Sequence, residues 1–144
     1  MLKVTAVRGK SVSKRGKVEG EALVTDNLIA FWGGTDWETG EIVEVAHPLR
    51  GENVRDKVLV FQAGKGGSGE SIGYYYLYKS GNAPKALICN KAQPTTVTSA
   101  LLCNTPMVYG FEENVVELVA NGDTVKVDSD TGEVEVIKKS ASST

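Results

Sequence analysis

Apolar positions in this chain fall mostly into short runs bounded by clusters of Gly, Pro, Asn and Asp. Short apolar runs between turn formers read as strands. Leu2 to Arg8 is the first of them. Arg8 to Lys17 is basic and carries Gly and Ser, which predicts a loop or a short hairpin edge. Glu19 to Thr25 and Leu28 to Trp32 follow as strands, broken by Asp26-Asn27. The stretch from Gly33 to Gly40 is dense in turn formers, and Ile42 to Val45 reads as a further short strand.

Lys57 to Phe61 ends in an unbroken apolar run, the pattern of a strand buried on both faces. A glycine-rich stretch follows, then an apolar segment from Ile72 to Leu77 that predicts a helix. The helix must end near Ser80-Gly81-Asn82, because Gly favours a C-terminal stop and Pro84 blocks continuation. Lys85 to Cys89 is a second buried strand. Strand, helix and strand in that order predict a right-handed parallel βαβ unit. Thr96 to Asn104 reads as a short helix, Met107 to Tyr109 as a short strand, and Val115 to Ala120 as either. Thr124 to Val127 and Glu133 to Val136 alternate around Asp130-Thr131-Gly132, which predicts a closing β-hairpin. The sum is one α+β domain over residues 1–137, with a polar, disordered tail at 138–144.

The stretch Gly64-Lys65-Gly66-Gly67-Ser68-Gly69-Glu70-Ser71 lies between the buried strand and the helix. A loop there presents bare backbone N–H groups to an anion, and glycines let a ligand approach closely. Gly64, Gly66 and Gly69 satisfy G-x-G-x-x-G, but the second strand ends in Cys89-Asn90-Lys91, where a dinucleotide site wants an acid. The Walker pattern fails because Gly66 follows Lys65. Two readings stay open: an anion cradle with an orienting or catalytic serine, or a tight turn in which Ser68 or Ser71 caps the helix. Lys65 would hold a phosphate or carboxylate as a point charge.

Composition narrows the picture. The 144 residues suit one domain, and a formal net charge of −2 gives no bulk attraction to nucleic acid or an anionic membrane. The N-terminus lacks a signal-peptide core and no apolar run reaches membrane length, so a cytoplasmic location is expected. Cys89 and Cys103 sit among apolar neighbours and read as reduced core thiols. With His47 as the single histidine, neither a metal site nor a Ser-His-Asp triad is expected in this chain. Tyr74, Tyr75, Tyr76 and Tyr78 crowd the helix, where they read as packing or as a face for a partner subunit. Trp32 and Trp37 read as loop anchors, and Glu19 and Glu21 as a solvated strand face.

Six blocks carry a resemblance to a known family. They are Gly16 to Val24, Phe31 to Asp36, His47 to Gly51, Lys57 to Phe61, Gly64 to Gly66, and Gly81 to Ile88. In this order they resemble the small subunit of the aconitase X family. The resemblance implies a swivelling β/β/α domain, the counterpart of the aconitase swivel domain, with a barrel-like β-rich core. It implies a large catalytic partner subunit that carries an iron–sulfur cluster, and no cofactor in this chain itself. The implied activity is dehydration of a small hydroxy acid such as 5-phosphomevalonate or cis-3-hydroxy-L-proline. The family's base is a loop serine directly after G-[KR]-G. Here Gly67 stands at that position, Ser68 follows it, and Ser71 falls at a second position that is often serine. The implied catalytic residues are therefore Ser68 and Ser71. Gly64, Lys65, Gly66 and Gly67 bind substrate, with Asp36 brought in from the Gly33–Asp36 turn. The competing expectations are a stand-alone phosphate- or nucleotide-binding module and a non-catalytic assembly subunit.

Overall fold

A computed structural model describes residues 4–67 and 69–139. Its strands are Val4–Arg8 (β1), Lys10–Val12 (β2), Lys17–Val24 (β3), Leu28–Ile29 (β4), Val58–Phe61 (β5), Ala63–Gly64 (β6), Ala86–Cys89 (β7), Met107–Tyr109 (β8), Thr124–Asp128 (β9) and Glu133–Ile137 (β10). Its helices are Glu70–Lys79 (α1), Pro94–Leu102 (α2) and Val115–Leu118 (α3).

Eight strands form one sheet in the order β1-β10-β9-β3-β5-β7-β8-β2. The centre, β3-β5-β7-β8, is parallel, and the flanks are antiparallel. The two edge strands, β1 and β2, are consecutive in the chain with only Gly9 between them. The sheet therefore curls until its edges nearly meet at Gly9, whose amide bonds the Gly132 carbonyl at 3.0 Å and carries the β1–β10 pairing one residue further. The result is a near-closed barrel, as the resemblance implies.

Two apolar clusters divide the interior by strand alternation. Val58, Val60, Ala86, Ile88, Val125, Val127, Val134 and Val136 point to one side, where α3 contributes Val115. Leu59, Phe61, Leu87 and Cys89 point to the other and pack under Tyr74 and Leu77 of α1 and Ala100 of α2. Every residue of β5 and β7 is buried, which is why both read as uninterrupted apolar runs. β5, α1 and β7 form the expected parallel unit, with Val58 to Phe61 paired to Ala86 to Cys89.

Three sequence expectations change. The Arg8–Lys17 segment, expected as a loop or a short hairpin edge, contains the edge strand β2, but β2 pairs with β8 rather than with its chain neighbour. The strand expected over Leu28 to Trp32 shrinks to Leu28–Ile29, paired with β6 in a separate two-stranded sheet. Beyond it the Phe31 and Trp32 amides go to the Glu70 carboxylate instead of a strand. Ile42 to Val45 makes only an isolated bridge, Thr35 to Ile42, because the Val43 and Glu44 amides both turn back to the Gly34 carbonyl.

Asp123, buried in the turn before β9, ties down the end of β10. It accepts the Ala120 amide at 2.8 Å, the Lys139 amide at 2.9 Å and the Lys138 ammonium at 3.0 Å. The tail expected from 138 thus begins with two tethered residues, and 140–144 lie outside the described residues. Burial pushes the Asp123 carboxyl up, but the two amides and Lys138 outweigh it and hold it below the ordinary carboxylate value. Its stabilisation is present above the unfolded carboxyl pKa of about 3.9 and is lost as pH falls through the lower folded value. Asp123→Asn should cost about 2 kcal/mol at pH 7 and flatten that acid-side loss, read by denaturant titrations across pH.

Candidate functional site

β5 delivers the chain through Gln62 and β6 to the glycine loop at the end of the parallel sheet, and the loop leads into α1. The Lys65 amide is anchored on the Ile29 carbonyl at 2.9 Å. Gly66 and Gly67 then take φ of 82° and 101°, a conformation that costs a side-chain-bearing residue but not glycine. Among the described residues neither of their amides has a hydrogen-bond partner. Gly69 is the N-cap of α1 and offers no side chain to cap it. Ser68 lies outside the described residues.

The loop forms one wall of an open cleft of about 350 Å³ by the volume available to solvent. Lys65, Gly66, Gly67 and Glu70 face Trp32, Gly34 and Glu44 across it. Larger hollows lie between Lys17 and Lys126 and between Thr25 and Asn121. Neither has a glycine loop or the start of a long helix, so the smaller cleft is the better anion site.

Two carboxylates that the sequence reading passed over shape this cleft. Glu44 pairs with Lys65 at 3.1 Å, both groups partly exposed. Such a pair is worth at most about 1 kcal/mol, whereas a charge-assisted bond to phosphate is worth about 1.5–3 kcal/mol. The Glu44 pair is therefore too weak to keep Lys65 from a stronger anionic partner. Glu70 is buried and accepts the Phe31 and Trp32 amides at 2.8 and 3.3 Å. Burial raises its pKa, against the two amide bonds and Lys65, which lower it; the Glu44 charge adds to the rise. Beside it, Gly73 lets α1 press on the Phe31 carbonyl, and the Trp32 ring rests against Gly69. The loop, the start of α1 and the Phe31–Gly34 wall are thereby locked together. An acid directly after a glycine loop, in a first helical turn, is a signal that could have flagged Glu70. Glu44 has no local signal.

Of the expected site residues, Gly64, Lys65, Gly66 and Gly67 lie together along the loop, with all but Gly64 lining the cleft. Gly64 instead abuts Thr96 of α2. The Ser71 hydroxyl turns away toward α2, donating to the Thr95 carbonyl at 3.1 Å and lying 3.3 Å from the Ser99 hydroxyl, which donates to the same carbonyl at 2.7 Å. Asp36 does not line the cleft; its carboxylate accepts the Glu38 amide at 2.9 Å and shapes the turn. His47 is also engaged in local structure, through the Leu28 carbonyl and the Leu49 amide, both at 3.0 Å.

The chain's own residues do not fit an iron–sulfur cluster. Burial pushes the Cys89 thiol up to about 12 and the Cys103 thiol up to about 11, so neither is a thiolate at neutral pH. Among the described residues no group of three or more His, Cys, Asp or Glu could hold a metal ion. Nor is any described helix long and apolar enough to cross a membrane.

A near-closed mixed barrel, a helical layer on one side and a glycine loop at the ends of its parallel strands define a swivel domain. The chain belongs to the aconitase X swivel domain family, which matches residues 6–136. It is 43% identical to the phosphomevalonate dehydratase small subunit of Methanocella arvoryzae, over 84% of this chain and 92% of the relative. It is 42% identical to the protein of the same name from Thermococcus sibiricus, over 84% and 91%. Among solved structures it superposes on holo-form aconitase X of Thermococcus kodakaraensis with a TM-score of 0.85 at 36% identity, covering 93% of this chain and 99% of that one.

Proposed function

We propose that this chain is the small subunit of a hydro-lyase that dehydrates 5-phosphomevalonate, sharing its active site with a large subunit that carries an iron–sulfur cluster. The observation that carries the reading is the Gly64–Glu70 loop. Lys65, Gly66 and Gly67 line one cleft, and the amides of the two glycines have no hydrogen-bond partner among the described residues. The names and identities of the relatives favour the phosphorylated substrate.

The division of labour follows from charge. Removing a proton next to a carboxylate builds negative charge on the carboxylate oxygens, and fixed N–H donors stabilise it without reorganising. The amides of Gly66 and Gly67 and the start of α1 supply such donors, and Lys65 adds a cation for the phosphate or the carboxylate. Ser68, beside these groups in sequence, is the proposed proton acceptor. The chemistry at the departing hydroxyl belongs to the partner, since this chain's residues hold no cluster.

The test is reconstitution with the large subunit and an assay for loss of water from 5-phosphomevalonate. Lys65→Met should lower kcat/KM by about 10- to 100-fold, the worth of one charge-assisted contact. Unchanged kcat/KM removes the phosphate role of Lys65. Turnover of cis-3-hydroxy-L-proline in place of 5-phosphomevalonate overturns the substrate assignment. Tight phosphate binding by the isolated chain, with no assembly, points to a stand-alone binding module.

A further inference from the structure

α1 is apolar on two faces. Gly73, Tyr74 and Leu77 are buried against the core. Ile72, Tyr75 and Tyr76, at helical spacing on the outer side, are 51%, 39% and 46% exposed. A helix that is apolar all round belongs in an interior, so its outer stripe calls for a cover. The stripe also continues beyond the helix. Tyr75 meets Tyr76 at 6.0 Å between ring centroids, Tyr76 meets Trp37 at 5.2 Å, and Trp37 meets Trp32 at 5.9 Å. Trp32, 49% exposed, is at the same time a wall of the candidate cleft. The aromatic ladder, exposed at Tyr75, Tyr76 and Trp32 and half-buried at Trp37, therefore runs from α1 directly to the site.

We propose that this ladder, Ile72-Tyr75-Tyr76-Trp37-Trp32, is the surface on which the large subunit docks. The inference rests on the small-subunit reading and names where that subunit is met. Continuity decides the occupant. A body seated on the ladder is carried to the open side of the cleft, where a shared active site needs its second half. Tyr and Trp are the residues that carry binding energy at the centres of such interfaces.

The experiment measures the affinity of the purified chain for the large subunit, with turnover of the assembled complex as a second readout. Tyr76→Glu and Ile72→Lys, neither in the cleft, should each raise Kd by about tenfold or more. At saturating small subunit, kcat should recover to about the wild-type value, because the loop is intact. Ile72, half in solvent, guards against a trivial folding defect, and thermal melts of both variants check for one. If wild-type chain assembles and both variants bind as tightly, the ladder is not the interface, although the small-subunit reading stands. If wild-type chain does not bind the large subunit at all, both fall. If the chain alone sediments as a dimer that Tyr76→Glu dissociates, the occupant is a second copy and the assignment is overturned.

Discussion

Ser68→Ala in the reconstituted complex should lower kcat by about 10²- to 10⁴-fold, the usual worth of a positioned general base, while Ser71→Ala leaves kcat near wild type. The asymmetry comes from what each hydroxyl already does. A serine has one proton to donate, and Ser71 spends it on the Thr95 carbonyl, the acceptor it shares with the Ser99 hydroxyl. That geometry joins α1 to α2 and faces away from the cleft. Losing it costs about 1 kcal/mol of stability and no chemistry. Ser68 follows two glycines with positive φ and precedes the start of α1, where amides and Lys65 favour an anionic oxygen. Single-turnover kinetics of both variants, with substrate affinity measured separately, decide the matter. Equal losses in the two variants, or none in either, would remove Ser68 from the role.

Gly73→Ala should destabilise the chain by about 3 kcal/mol, the upper part of the range for overpacking a tight contact. A Cβ at this position would stand 2.1 Å from the Phe31 carbonyl oxygen and 2.7 Å from its carbon. Both are backbone atoms, so no side chain can swing aside. The segment cannot simply retreat either, because Glu70, three residues earlier on α1, holds the Phe31 and Trp32 amides. The new methyl therefore strains the same wall that lines the cleft, and kcat/KM should fall along with the melting temperature. Equilibrium unfolding in urea measures the first effect. A wild-type midpoint for Gly73→Ala would show that the α1 contact is soft and that the lock described here does not exist.

Much of the framework was legible because its causes are local. β5 and β7 are unbroken apolar runs since both of their faces are covered. α1 ends where Ser80-Gly81 and Pro84 require, and the β9–β10 hairpin alternates around Asp130-Thr131-Gly132. The misread segments have distant causes. Phe31 and Trp32 look like strand residues, but their amide partner is Glu70, far along the chain. β2 forms only because β8 arrives beside it. The site divides in the same way. The glycine loop and Lys65 stand out by residue type alone, and the structure brings Lys65, Gly66 and Gly67 to one cleft. Glu44 enters through a tertiary approach to Lys65. Asp36 shows the opposite case, an acid in a suggestive turn whose carboxylate is taken up by the Glu38 amide.

The seam at Gly9 bears on how the chain comes to be folded. β1, the first strand synthesised, has a single neighbour in the sheet, and that neighbour is β10, the last. Val4 meets Ile137 and Arg8 meets Glu133. During translation β1 must wait, without its sheet neighbour, until β10 has left the ribosome. Contacts of such long sequence separation slow folding, because loop-closure entropy is spent before they reward it. The parallel centre can assemble earlier, while the barrel closes only once β10 is available to β1.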